Sequence, residues 1–287
     1  HARADHFGIA ANLFERVTKL RPDRDEAWNN YGMSLEGMQR TDDAREAFRQ
    51  AVRIKPTHAG YLANVALTYL QQGRHGECLQ WTSKALKSEP GHTGAMTSRG
   101  FANLAIGNWA EGWEAYRYSL GGKFRLRQDY GLPDWEGQPG SVVVYGEQGI
   151  GDEIMYASCL PDLLRNHRVC LDVDARLAKL FARSFPDAEV HGTRRAEKDW
   201  NPKRFDYQVA IGELPRFYRK DWRACPKSPY LVPNDDLRTM YRALTDKYAD
   251  GRRKIGLSWS GGKPLTGSKK RAISLECFRP IIEANPE

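Results

Sequence analysis

The chain has 287 residues, 40% hydrophobic and 28% charged, a balance that excludes a disordered chain and suits folded domains. No stretch approaches the ~20 apolar residues of a membrane-spanning helix. The net charge of +8 suits an anionic partner in general, but no basic stripe interleaved with aromatics points to nucleic acid.

The five cysteines, Cys78, Cys159, Cys170, Cys225 and Cys277, include no C-x-x-C pair. Neither a disulfide framework nor a zinc site is expected, and a reducing, cytoplasmic compartment is. The first residue is His1, with a repeat pattern already under way by Ala10, so the N-terminus reads as a cut end.

From the N-terminus a 34-residue period runs through Pro22, Pro56 and Pro90. Aligned on these prolines, Ala10, Ala44 and Cys78 share a column, as do Phe14, Phe48 and Thr82, and Val17, Ala51 and Ala85. Small residues let two helices approach, large ones such as Trp28, Tyr31 and Phe48 fill the space beside them, and proline ends the second helix. The expected helices are residues 7–20, then pairs 25–38 with 42–54, 59–72 with 76–88, and 93–106 with 110–119. Residues 25–56 carry Trp28, Tyr31, Gly32, Leu35, Ala44, Phe48, Ala51 and Pro56, and this set resembles the tetratricopeptide repeat (TPR) signature. Such repeats stack into a solenoid with a concave face, and protein or peptide partners are expected there. Asn30 and Asn64 share a column that Ser98 breaks. The resemblance implies that these asparagines hold a peptide backbone; solvated polar side chains are the alternative.

The period ends after Tyr116, and residues 121–140 read as a connector that folds back with Trp135 in a pocket. From Ser141 short apolar runs alternate with amphipathic segments, the texture of a parallel α/β sheet. Strands are expected at 142–145, 169–173, 189–191, 207–210 and 255–259. Helices are expected at 152–166, 175–184, 235–247 and 275–284. The fold class is therefore α plus α/β, with domains at 1–120, 141–250 and 251–287.

Ligands of such sheets bind beyond the strands' carboxyl ends, where Gly146-Glu147-Gln148-Gly149-Ile150-Gly151-Asp152-Glu153 follows the first strand. Gly149-x-Gly151 with Asp172 echoes a dinucleotide loop, which would make the chain an oxidoreductase. Against that, Ile154 holds the third glycine position, and carboxylates at Asp152 and Glu153 would repel a pyrophosphate. Asp152 suits a general base on a hydroxyl or a helix cap; on residues alone both stand. A second turn, Ser258-Trp259-Ser260-Gly261-Gly262 with Lys263, Lys269, Lys270 and Arg271, suits a diphosphate cradle or a solvated basic loop. Asp172-x-Asp174 is expected to be structural, and no metal is required.

Trp135-x-Gly137, residues 147–154, Phe205-Asp206, Leu214-Pro215, Ser228-Pro229-Tyr230-Leu231, Ile255-Gly256-Leu257-Ser258-Trp259-Ser260-Gly261 and Arg271-Ala272-Ile273-Ser274-Leu275 together resemble bacterial TPR glycosyltransferases of the heptosyltransferase-like, two-lobed GT-B type. The resemblance implies a TPR solenoid followed by a Rossmann-like lobe, with a nucleotide-sugar as donor substrate and no cofactor. It assigns Asp152 as base, Gln148, Gly149 and Gly151 to the acceptor side, and Ser258, Ser260 and Arg271 to the donor phosphates. Residues 251–287 would begin a donor lobe whose remainder lies beyond Glu287, leaving transfer to a longer parent chain. A TPR scaffold with a catalytically idle α/β part is the alternative.

Overall fold

The structure, a computed structural model, describes residues 2–122, 125–194, 196–258 and 272–284, with side chains from residue 6 onward. Residues 1–231 form one unit and 232–287 another.

The first unit opens with seven helices: α1 (Ala2–Leu20), α2 (Asp25–Gly37), α3 (Thr41–Ile54), α4 (Ala59–Gln71), α5 (His75–Ser88), α6 (Thr93–Ala105) and α7 (Trp109–Tyr116). Each periodic proline lies just past a helix end. The small-residue columns do what close packing requires. A Cβ on Gly32 would lie 2.6 Å from the Phe48 ring, and one on Gly100 2.7 Å from the Tyr116 backbone nitrogen. Leu35, Phe48, Val65, Ala66 and Cys78 form the core between repeats. Asp25 joins one repeat to the next by accepting the Tyr61 hydroxyl hydrogen bond at 2.7 Å and pairing with Lys55 at 2.8 Å.

Two further periodic features lie at helix ends. His58 and His92, one repeat apart, are N-caps whose Nδ1 accepts from the Tyr61 and Ala95 backbone N–H groups. Gln39, Gly73 and Gly107 stand at the same position of successive turns with φ of 63°, 72° and 88°. That left-handed conformation favours glycine, and the first repeat adopts it with glutamine.

The second part of the unit is a four-stranded parallel sheet: β1 (Val142–Tyr145), β2 (Val169–Asp172), β3 (Glu189–His191) and β4 (Tyr207–Ala210), in the order β3-β2-β1-β4. β1 is central and buried on both faces, which explains its unbroken Val-Val-Val-Tyr run. Its helices are α8 (Ile150–Tyr156), α9 (Leu160–Leu164), α10 (Ala175–Ser184) and α11 (Pro215–Tyr218). The single helix expected over 152–166 is instead α8, a 3-10 turn at Ala157–Cys159, and α9. Pro161, at the start of α9, lacks the N–H an uninterrupted helix would need there.

The connector does fold back. Trp135 N donates to Gln208 O at 2.8 Å and Gln208 N to Pro133 O at 2.9 Å, so residues 133–135 extend the sheet beyond β4. Trp135 is buried against Phe217 and His167.

In the second unit, α12 (Asp235–Ala249) is capped by the Asn234 side chain and ends at Asp250 in the left-handed region. A 3-10 turn at Leu275–Phe278 leads into α13 (Arg279–Glu283). Residues 255–258 form no strand, contrary to expectation; a strand needs a neighbour to pair with, and no strand is described in this unit. Trp259, the last residue of that expected strand, lies outside the described residues.

Candidate functional site

On the repeats, residues of α1 to α4 line a groove of about 500 Å³. Both asparagines singled out from the sequence, Asn30 and Asn64, face it. Met33, Leu67, Phe48 of α3, and Phe7 and Phe14 of α1 also line it. Asn64 Nδ2 donates to Asn29 Oδ1 at 2.8 Å, which orients its amide while leaving Oδ1 open. Ser98, the break in the asparagine column, is buried, and its carbonyl faces the Cys78 thiol.

At the carboxyl end of the sheet, Gly149 caps α8 and its N–H donates to Asp152 Oδ2 at 3.1 Å. Asp152 is half-buried in this capping position. Gly151 meets open space where a Cβ would be. The glycine that makes room is Gly146, where a Cβ would run into the Glu153 carboxylate. Gln148 donates to the Tyr116 hydroxyl at 3.1 Å, and its carbonyl accepts from Arg194 at 2.7 Å. It therefore ties the loop to α7.

Beneath that turn lies a buried ionic layer that the sequence reading missed. Arg125, from the connector, donates to Glu147 at 3.1 Å and to Glu213 at 2.7 Å, both beyond strand ends. It also donates to the Tyr116 carbonyl at 3.0 Å and Ser119 Oγ at 2.9 Å, and its guanidinium lies 4.1 Å from the Tyr116 ring centre. Burial pushes the Glu147 pKa up, with Arg125 pulling the other way; Arg125, serving two carboxylates, stays charged.

Arg194 similarly joins Glu153 and Asp174. Burial pushes the Glu153 carboxyl up to about 7. Asp174 is held well below the usual carboxylate range, chiefly by its hydrogen bond from Arg176. Glu153 Oε2 accepts from the Asp174 backbone N–H at 3.0 Å, and Oε1 lies against the Arg194 guanidinium. Asp172 is fully buried, accepting from Thr193 N, Thr193 Oγ1 and the Tyr130 hydroxyl, with Lys198 at 3.3 Å. Both acids of Asp172-x-Asp174 are thus engaged by the protein, as a structural pair would be. Proline, glycine and hydrophobic periodicity carry no signal for such a layer, since its members are scattered from residue 125 to residue 213.

Beside it, Arg117, Arg127 and Arg216 line a cleft of about 100 Å³. Arg117 and Arg216 share Glu136, and Arg127 pairs with Asp134, so the cleft's cations are already matched by acids. Ser258 is exposed in the second unit, while Ser260 and Arg271 lie outside the described residues. Cys170, Glu189 and His191 bring donor atoms within 4.8 Å of one another and could hold a metal. Glu189, however, already accepts from His191 at 2.9 Å and Arg204 at 2.6 Å. Among the described residues no helix is long and apolar enough to cross a membrane.

The repeat architecture is matched independently by the tetratricopeptide repeat family over residues 1–59 and 32–93. Residues 1–93 are tetratricopeptide repeats. Protein FlbA of Caulobacter vibrioides is 30% identical over 332 aligned residues, covering 96% of this chain and 55% of FlbA. The chain therefore spans about half the length of that relative. The peroxisomal targeting signal receptor of Eremothecium gossypii is 28% identical over 82 residues, 29% of this chain and 14% of the receptor. A crystal structure of MamA protein overlays with a TM-score of 0.37 at 20% identity, covering 43% of this chain and 70% of MamA.

Proposed function

We propose that this chain is a protein-interaction scaffold whose repeats hold a segment of a partner polypeptide, while the parallel-sheet portion anchors the solenoid's far end. The observation that carries this reading is the groove of about 500 Å³ into which Asn30, Met33, Asn64 and Leu67 project from successive repeats. A core would have covered Met33 and Leu67; both are exposed. Paired acids and arginines also occupy much of the carboxyl end of the sheet, leaving beside Tyr145, Ala210 and Glu213 a cleft of about 100 Å³ where an α/β enzyme binds its ligand. Selection of random phage-displayed 12-residue peptides tests the reading. Peptides should be retained by the native chain and released by Leu67→Asp. Recovery of the same peptides by both proteins would refute it.

A second reading, sugar transfer from a nucleotide-sugar donor with Asp152 as base, has one observation in its favour. Asp152 is half-exposed beyond β1, in a sheet whose β3-β2-β1-β4 order is that of doubly wound nucleotide-binding sheets. Its carboxylate is engaged as a cap, which weighs against it. In a longer parent chain, Asp152→Asn should lower transfer by ~10²-fold or more; unchanged turnover removes this reading.

A further inference from the structure

Cys170 on β2 and Glu189 on β3 are partners in the parallel register, and Asp172 and His191 are the pair two residues on. Alternation puts all four on one face of the sheet. Asp172 is taken up by Thr193, Tyr130 and Lys198. The other three bring a thiol, a carboxylate and an imidazole together, with donor atoms all within 4.8 Å of one another. The thiol is free and fully buried, with no hydrogen-bond partner among the described residues. The His191 and Glu189 side chains are 20% and 33% exposed, which opens the cluster to solvent along the edge strand.

We propose that Cys170, Glu189 and His191 bind a zinc ion that clips β3 to β2. Thiolate, imidazole and carboxylate are the donors zinc takes, and the thiolate selects it against magnesium or calcium. Tetrahedral zinc, at about 2.0–2.3 Å from each donor, sets neighbouring donors roughly 3.3–3.6 Å apart. His191 Nε2 and Glu189 Oε1, at 2.9 Å, have only to part slightly to admit it. Arg204 also holds Glu189 Oε1, but a carboxylate has about four lone-pair sites, and zinc takes the one that now faces His191. On binding, the thiol proton leaves to solvent and the imidazole proton passes from Nε2 to Nδ1. Nδ1 lies 3.9 Å from Asp199 Oδ1, placed as the outer carboxylate that orients a metal-bound histidine. Trp200 stacks on the same ring at 4.7 Å and 11° and fixes its plane. C-x-x-C spacing is not needed here, because strand register rather than sequence proximity assembles the donors.

The test uses the 287-residue chain, freed of metal by a chelator and titrated with Zn²⁺ against a chromophoric zinc indicator. One zinc per chain should bind and raise the melting temperature. Co²⁺ at the same site should show a near-ultraviolet thiolate-to-cobalt charge-transfer band. Cys170→Ser should abolish that band. His191→Ala should weaken zinc about tenfold or more and remove the thermal shift, and Asp199→Asn should weaken zinc about tenfold. Replacing the exposed Cys225 and Cys277 by serine should change neither band nor affinity. His191 and Asp199 are solvent-accessible, so their variants should keep the native far-UV circular dichroism and decide the matter even if Cys170→Ser misfolds. No charge-transfer band in the native chain would overturn the proposal. So would native zinc affinity in His191→Ala, or loss of the band on replacing Cys225 and Cys277.

Discussion

Replacing Arg125 by methionine should unfasten the solenoid from the sheet. The guanidinium is 2% exposed, against 0% for the Glu147 and 8% for the Glu213 side chains. Methionine keeps much of the volume but leaves two buried carboxylates facing each other across the vacated site. Removing one partner of a buried pair costs about 3–5 kcal/mol, and here the lost cation had served two acids. The Tyr116 carbonyl and Ser119 hydroxyl also lose their donor, at about 1 kcal/mol each where water cannot replace it. Because both carboxylates can take up protons instead, an overall loss of about 4 kcal/mol is expected. Urea unfolding at pH 7, followed by far-UV circular dichroism and by tryptophan fluorescence, would measure it. The fluorescence transition should move to lower urea more than the helical signal, since Trp113 and Trp135 lie near the junction and the repeats hold most of the helix. Restoring neutrality in Arg125→Met with Glu147→Gln and Glu213→Gln should recover at least half of the loss. A loss below about 1 kcal/mol, or no recovery in the triple variant, would refute the role assigned to this cluster.

Gln39→Gly should stabilise the first repeat by about 0.5–1 kcal/mol, because relief of the left-handed conformation exceeds glycine's entropic cost; an unchanged or lower urea midpoint would count against it. Gly100→Ala should destabilise by about 1–3 kcal/mol, since its Cβ meets the Tyr116 backbone. Gly8→Ala, with nothing within 4 Å, should gain up to about 1 kcal/mol, and equal effects at the two sites would contradict the packing account. Glu153 has its folded pKa raised from 4.5 to about 7. The stability this contributes is full below pH 4.5 and is lost as pH rises through about 7, amounting to no more than about 3 kcal/mol. The native chain should accordingly lose stability between pH 5 and pH 8 relative to Glu153→Gln; parallel pH profiles would show that Glu153 does not titrate in that window.

The repeats were legible because their physics is local and periodic. Proline spacing and the small-residue columns at Gly32, Ala44, Ala51 and Gly100 report helix ends and close approaches within a single repeat. The sheet was legible for a related reason: Val142–Tyr145 is buried on both faces and has to be continuously apolar. What escaped reading depends on long-range pairing. Arg125 resembles any other basic residue in a charged connector until Glu147 and Glu213 are placed beside it. In the glycine-rich turn the cap reading of Asp152 was open from sequence, but the burial of its neighbour Glu153 against Arg194 was not. The histidine caps show the intermediate case. His58 and His92 recur at the repeat period, but histidine is not among the residues usually searched for at helix starts.

The same residues bear on what the two halves do for each other. A solenoid of three and a half repeats needs its last helix covered, because each repeat buries its apolar face on the next. Here α7 is covered by the α/β portion. Trp113 Nε1 donates to the Arg219 carbonyl at 2.9 Å, and the Tyr116 and Tyr156 hydroxyls meet at 3.1 Å. The cover is drawn from the carboxyl side of the sheet: Tyr156 lies on the helix after β1, and Glu147 and Glu213 lie beyond β1 and β4. Space at that end can serve either as a ligand crevice or as a docking surface for the repeats. In this chain the ion pairs around Arg125 commit the part next to β1 and β4 to docking. The groove, by contrast, is lined by α1 to α4 of the earlier repeats, and among the described residues none from a strand end lines it. On the scaffold reading proposed above, the early repeats would meet the partner while the last one is anchored.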